Sequence, residues 1–211
     1  VSYTYETLPV YDNLNRFSFA IEVTDPFFIR KGKMIAYYGN LRFEALGKSV
    51  FDMIVQHTFN APLYVQKFVV VNGQGKLVLG DNYNDINSFD LTDGVLTIKS
   101  AHVLGFDTHL ICRESIVPGY LTLLGTGRFL ASSCSPVFFL EPPCRVDERA
   151  LLGWADMPCP YFYYDYTYIR NVASAVGSVL GVTSTGEEKQ VDFTGKGTVL
   201  IQSQETALPL Q

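Results

Sequence analysis

The 211-residue chain holds few side chains that could do chemistry. They are three histidines (His57, His102 and His109), four cysteines (Cys112, Cys134, Cys144 and Cys159) and a handful of paired carboxylates. A hydrolase of the serine or cysteine type needs a nucleophile, a base and an orienting acid within hydrogen-bond reach. No serine occupies a Gly-x-Ser-x-Gly elbow, and no cysteine stands in a nucleophile signature. Asp107 and His109 alternate as they would on one face of a strand, which is half of a metal site, but no His-x-His accompanies them. Glu187 and Glu188 lie in a Gly-Thr-Ser context that favours a solvated loop. The sequence therefore assigns no catalytic residue, no metal ligand and no cofactor.

Two other features invite a functional reading. Three Gly-x-Gly pairs occur, at Gly73 and Gly75, Gly125 and Gly127, and Gly195 and Gly197. A phosphate cradle needs such a loop to open a helix, whose amides face the anion. Here β-formers follow each pair, so the glycines are expected to serve turns or bulges where strands begin. The second feature is the run Tyr161, Phe162, Tyr163, Tyr164, Asp165, Tyr166, Thr167, Tyr168. Its tyrosines, Tyr161, Tyr163, Tyr164, Tyr166 and Tyr168, form the candidate interaction surface if they line an edge strand, where rings stack on a partner. The other reading has them closing a core.

Composition narrows the partners. The net charge is −5, from 16 Lys and Arg against 21 Asp and Glu, which opposes binding to phosphate backbones. Arg30, Lys31 and Lys33 make the nearest approach to a basic patch. No apolar run reaches the ~20 residues that span a bilayer, and the first residues lack a signal-peptide pattern. A cytoplasmic protein with reduced, core-filling thiols is the expectation.

The elements that must position these residues are strands. The 15 Phe and 13 Tyr, with many Val, Ile and Thr, suit pleated surfaces. Internal similarity organises them. Val23–Ile29, Leu91–Ile98 and Leu140–Val146 each run from an apolar residue through an Asp-Pro, Asp-Gly or Pro-Pro turn into a strand. Ile29–Tyr37, Ile98–Phe106 and Val146–Trp154 then align, each ending in a small residue followed by an aromatic. In this alignment His102 matches Lys33 and Ala150, an exposed position. The Gly-x-Gly strands close each copy. The reading is an all-β fold: one domain, 1–211, of three similar units (about 1–83, 84–135 and 136–211) packed around a pseudo-threefold axis. Minor helical insertions are expected, with additions at Leu46–Phe68 and Ala155–Val191. Gly47–Val55 is read as a short helix or strand, Val172–Leu180 as a weak helix and the tail from Glu205 as frayed.

The stretch Ile29–Phe43, with its Gly-Lys-Met-Ile-Ala-Tyr-Tyr-Gly core, and the terminal Gly195–Ser203 resemble the altered inheritance of mitochondria protein 24 family. That family belongs with the tryptophan RNA-binding attenuator protein-like superfamily. The resemblance implies a β-sandwich-like pseudo-trimer, and it points to fungal relatives tied to mitochondrial inner-membrane organisation. The functional expectation is a non-enzymatic scaffold or protein-interaction module with a protein partner, as a monomer or a homo-oligomer. A small-molecule-binding protein is the alternative. RNA binding, implied by the superfamily alone, ranks third.

Overall fold

The computed structural model describes residues 2–46, 57–164 and 189–205. Fourteen strands join into one hydrogen-bonded network, antiparallel throughout except for a short parallel contact. The strands are β1 (Tyr11–Asn15), β2 (Ser18–Val23), β3 (Phe27–Arg30), β4 (Met34–Ala45), β5 (Phe59–Asn60), β6 (Phe68–Gly80) and β7 (Asp85–Lys99). They continue as β8 (Val103–Asp107), β9 (Ile111–Glu114), β10 (Tyr120–Ser133), β11 (Val137–Leu140), β12 (Cys144–Asp147), β13 (Leu151–Tyr164) and β14 (Lys189–Gln202). Helical structure in the described residues amounts to short pieces, chiefly 3₁₀ turns at Pro62–Lys67 and Ser100–His102. The segments Gly47–Val55 and Val172–Leu180 lie outside the described residues, as does Glu187-Glu188.

Three long strands organise the network. β6 pairs with β2 and β3 along one edge and with β4 along the other. β10 pairs with the two halves of β7 on one edge and with β8 and β9 on the other. β14 pairs with β11 and β12 on one edge and with β13 on the other. The glycine pairs sit in the middle of these long strands, not where they begin. Gly73, Gly125 and Gly195 take φ of 115°, 111° and 88°, a region that side chains resist. At Gly73 an added Cβ would overlap the Asn40 carbonyl oxygen. The bend lets one strand serve two partners in succession along the same edge, which is the work of a bulge. The expected turn at Asp93-Gly94 is such a bulge too: β7 runs through it without a break, with Asp93 at φ 45° and its amide held by the Thr126 hydroxyl.

Two junctions link the three strand groups. β3 pairs with β8, placing Phe27, Phe28 and Ile29 opposite Asp107, Phe106 and Gly105. β7 pairs with β13, placing Ile98, Thr97 and Leu96 opposite Gly153, Trp154 and Ala155. These inner strands bury both faces, which explains their unbroken apolar runs. Phe28 and Phe106 point into one core with Phe59, Phe68, Leu121 and Phe129, while Phe27, Ile29 and Leu104 point into another with Phe19, Leu77 and Leu130. Tyr120, Val146, Leu151, Trp154, Val191 and Phe193 form a third.

The polar residues flagged by sequence are largely structural. Arg30 donates to the carbonyls of Val103 and Ser100, and Lys33 pairs with Asp81, so two of the three bases beside the β3–β4 turn are tied down, while Lys31 is exposed. His102 corrects its expectation. It is buried, with Nδ1 2.7 Å from the Ser132 carbonyl, because its copy of the turn is a 3₁₀ turn packed under β10 and not an open strand. Burial lowers its pKa below the ordinary 6.5. A histidine kept neutral by the fold stabilises fully above the unfolded value and loses that contribution as acid charges the unfolded form. Denaturant titrations are therefore expected to show stability falling below about pH 6.5. The slope across that window should shrink in His102→Asn, and an unchanged slope would show that His102 does not set it.

Candidate interaction surface

The tyrosine run begins on β13, whose far half extends beyond the β7 junction and, among the described residues, pairs with β14 alone, Tyr161 opposite Asp192 and Phe162 opposite Val191. Tyr161 is 67% exposed and Phe162 40%. Tyr161 therefore does not close a core. Tyr163 and Tyr164 continue the strand in backbone register with Gln190 and Lys189, while Tyr166 and Tyr168 lie outside the described residues.

Phe162 is the outer end of an aromatic column. It meets Tyr120 edge-on at 6.4 Å; Tyr120 packs on Trp154 at 5.1 Å, and Trp154 on Phe193 at 5.6 Å. The column is anchored in the third core and surfaces at Phe162, so this ring stands on a rigid base. Sequence reasoning singled out Trp154 as a repeat aromatic but not Tyr120, since nothing local marks the two as neighbours. The Tyr120 hydroxyl is buried without a hydrogen-bond partner among the described residues, and burial raises its pKa. Next to Tyr161, Asp192 is held below the usual carboxylate range by its hydrogen bonds from Arg145. A groove of about 460 Å³, open to solvent, runs beside that pair and is lined by Pro143, Cys144, Arg145, Asp192, Phe193 and Thr194.

A second exposed apolar surface lies on β4. Met34, Ile35, Tyr37 and Tyr38 are 42%, 60%, 45% and 40% exposed. Tyr38 donates its hydroxyl proton to the Tyr3 carbonyl at 2.9 Å and meets Tyr5 edge-on.

The candidate chemical groups do not assemble. Asp107 and His109 do share the rim of one small cavity, of about 90 Å³, as their spacing suggests. The Asp107 carboxylate, however, accepts the Arg128 amide at 2.7 Å and its guanidinium as well, so its charge is already balanced. His57 is exposed just before β5. No group of three or more His, Cys, Asp or Glu that could hold a metal occurs among the described residues. The thiols only partly follow the core-filling expectation. Cys112 is buried, which pushes its pKa up to about 12, whereas Cys134 and Cys144 are half-buried and Cys159 is exposed. All four are unpaired. No helix of the described residues is long and apolar enough to cross a membrane.

No curated protein matches the chain. Among solved structures, the crystal structure of a Streptococcus pyogenes protein superposes with a TM-score of 0.65 at 18% identity, covering 92% of each chain. That likeness shows a shared fold. The model of the family described as mitochondrial biogenesis AIM24 matches residues 15–204, nearly the whole length, and with the strands described above it places this chain as a member of the AIM24 family.

Proposed function

We propose that the protein is a non-enzymatic interaction module whose partner is another protein, engaged through the exposed end of the β13–β14 ribbon. The observation that carries this reading is the aromatic column. It brings the half-exposed Phe162 to the surface on Tyr120, Trp154 and Phe193, with the exposed Tyr161 next to it on β13. Rigid aromatic rings beside a polar rim, here Arg145 and Asp192, have the composition of a binding hot spot. The net charge of −5 favours a protein over a nucleic acid as the partner. Four unpaired thiols support a reducing, cytoplasmic setting.

The same proposal treats the chain as one domain of three related units around a common axis. Support comes from the matching way in which β6, β10 and β14 each take partners on both edges and bend at a glycine pair.

A photo-crosslinking amino acid at position 161, expressed in the native host, tests the surface, with position 116 as control because Ile116 is fully exposed. The expected result is one protein adduct of discrete mass from position 161 and none from 116. That adduct should disappear when Phe162→Ser is added, while the protein stays folded with a loss of about 1–2 kcal/mol, since the ring is only partly buried against Tyr120. Equal labelling at both positions, or none, would overturn the reading.

A further inference from the structure

Among the described residues the pairing scheme leaves two strand edges open, and they match each other. In the strand groups of β6, β10 and β14, the small residue after the shared turn lies at a corresponding place: Ala36 opposite Val78, Gly105 opposite Leu130, Gly153 opposite Leu200. The residue that ends the preceding strand does too: Ile29 opposite Val69, Ile98 opposite Leu121, Val146 opposite Val191. Two of the three possible junctions form inside the chain, Ile29 with Gly105 and Ile98 with Gly153. The third would join Val146 of β12 to Ala36 of β4. Among the described residues, β4 pairs only with β6 and β12 only with β14.

Burial shows what the missing junction leaves bare. At the formed junctions Leu104 and Phe106, and Leu152 and Trp154, are buried, none more than 7% exposed. Their counterparts on β4, Ile35 and Tyr37, are apolar and 60% and 45% exposed. The stretch from Met34 to Leu41 also carries no charge and no proline, the devices by which edge strands normally resist pairing. The open edge of β12 runs beside the groove at Pro143, Cys144 and Arg145. Inside the chain the third junction is obstructed, since Ala36 carries a methyl group where Gly105 and Gly153 carry none. At those glycines a Cβ would press on the backbone of the opposing strand.

We infer that the open edges are filled by a second copy of this chain: β4 of one copy pairs antiparallel with β12 of the other, with Ala36 opposite Val146, Tyr37 opposite Arg145 and Tyr38 opposite Cys144. A separate copy is not bound by the connections that fix the crossing inside one chain, so it can approach at ordinary strand spacing and accommodate the Ala36 methyl group. Two such junctions close a dimer in which every copy uses both of its edges. The partner is identified by complementarity on the page: the chain presents both halves of a junction that it already builds twice. The seam borders the proposed interaction surface at Arg145, but its test reads a β4–β12 bond and the oligomeric state, which the proposed function does not predict, so the two can fail separately.

The test uses the full chain with Cys134→Ser and Cys159→Ser, to silence the other accessible thiols, and adds Tyr38→Cys. Directly opposed residues of an antiparallel pair approach within disulfide range. Copper phenanthroline in air is expected to yield a covalent dimer whose bond, mapped by mass spectrometry, joins position 38 of one copy to Cys144 of the other. The protein without Tyr38→Cys should sediment as a dimer with a melting temperature that rises with protein concentration, and the double change Ile35→Lys, Tyr37→Lys should convert it to a monomer that keeps its β-sheet circular dichroism and loses that concentration dependence. A bond within one chain, no bond at all, or a monomeric parent protein would each overturn the inference.

Discussion

Gly153→Ala is expected to cost this protein a large share of its folding free energy. A Cβ at that position would overlap the Thr97 carbonyl oxygen and stand 2.8 Å from the Ile98 Cα. Both obstacles are backbone atoms of a central strand paired on its other edge to β10, so neither can yield without breaking a second ladder. The methyl group would therefore part β7 from β13, the junction that brings in the third strand group. A loss of about 4 kcal/mol or more is expected, against the ~5–15 kcal/mol that domains typically possess. Gly119→Ala is the matched comparison. Gly119 sits at φ +87° with nothing within 4 Å of an added Cβ, so only backbone strain of about 1–2 kcal/mol is at stake. Urea titrations of the two variants should differ widely in midpoint, and similar midpoints would mean that the β7–β13 crossing is looser than described.

Phe106→Ala should be nearly as damaging, by another route. Phe106 is fully buried at the β3–β8 junction, with ring centroids 5.0 Å from Phe28, 5.8 Å from Phe68 and 6.2 Å from Phe59. Removing it opens a cavity among three rings that β-strands on both sides hold in place, so the hole cannot collapse. Large-to-small changes of this kind cost about 3–5 kcal/mol. Phe89→Ala removes a ring that is only partly buried at its own core, stacked on Phe129, and should cost clearly less. Equal losses in thermal unfolding would mean that the Phe28–Phe59–Phe68–Phe106 cluster is not the centre of the fold.

Much of this architecture was legible in the sequence, for physical reasons visible at single residues. Glycine pairs followed by apolar runs marked the three long strands, because few other residues tolerate the φ that the bends require. The apolar-small-aromatic pattern marked the strands that cross between groups, because close crossing needs a missing side chain and a ring beside it. What could not be read was which edges stay open, since Ile35 and Tyr37 look as core-like as Leu104 and Phe106 until burial separates them. His102 misled because alignment placed it with Lys33 and Ala150, whereas a 3₁₀ turn rotated it inward. Of the candidate surface, sequence supplied Tyr161 but not the column beneath its neighbour Phe162. Tyr120 is remote in the chain and reaches Phe162 only through the folding of β10 against β7 and of β7 against β13.

The hairpin-like pairing of β4 with β6 and of β13 with β14 has one more consequence. In each pair the strands run side by side to the point where the connecting segment departs, at Ala45 and Phe68 in one case and at Tyr164 and Lys189 in the other. The ends of each segment are thus clamped by a ladder whose register does not depend on what lies between them. The entropy cost of closing a connection rises only with the logarithm of its length, about 0.6 kcal/mol for each doubling. Added length at these ladder ends therefore costs little closure entropy, whereas Phe59, Ala61 and Tyr64 of the first connection cannot be shed, because they line the central core.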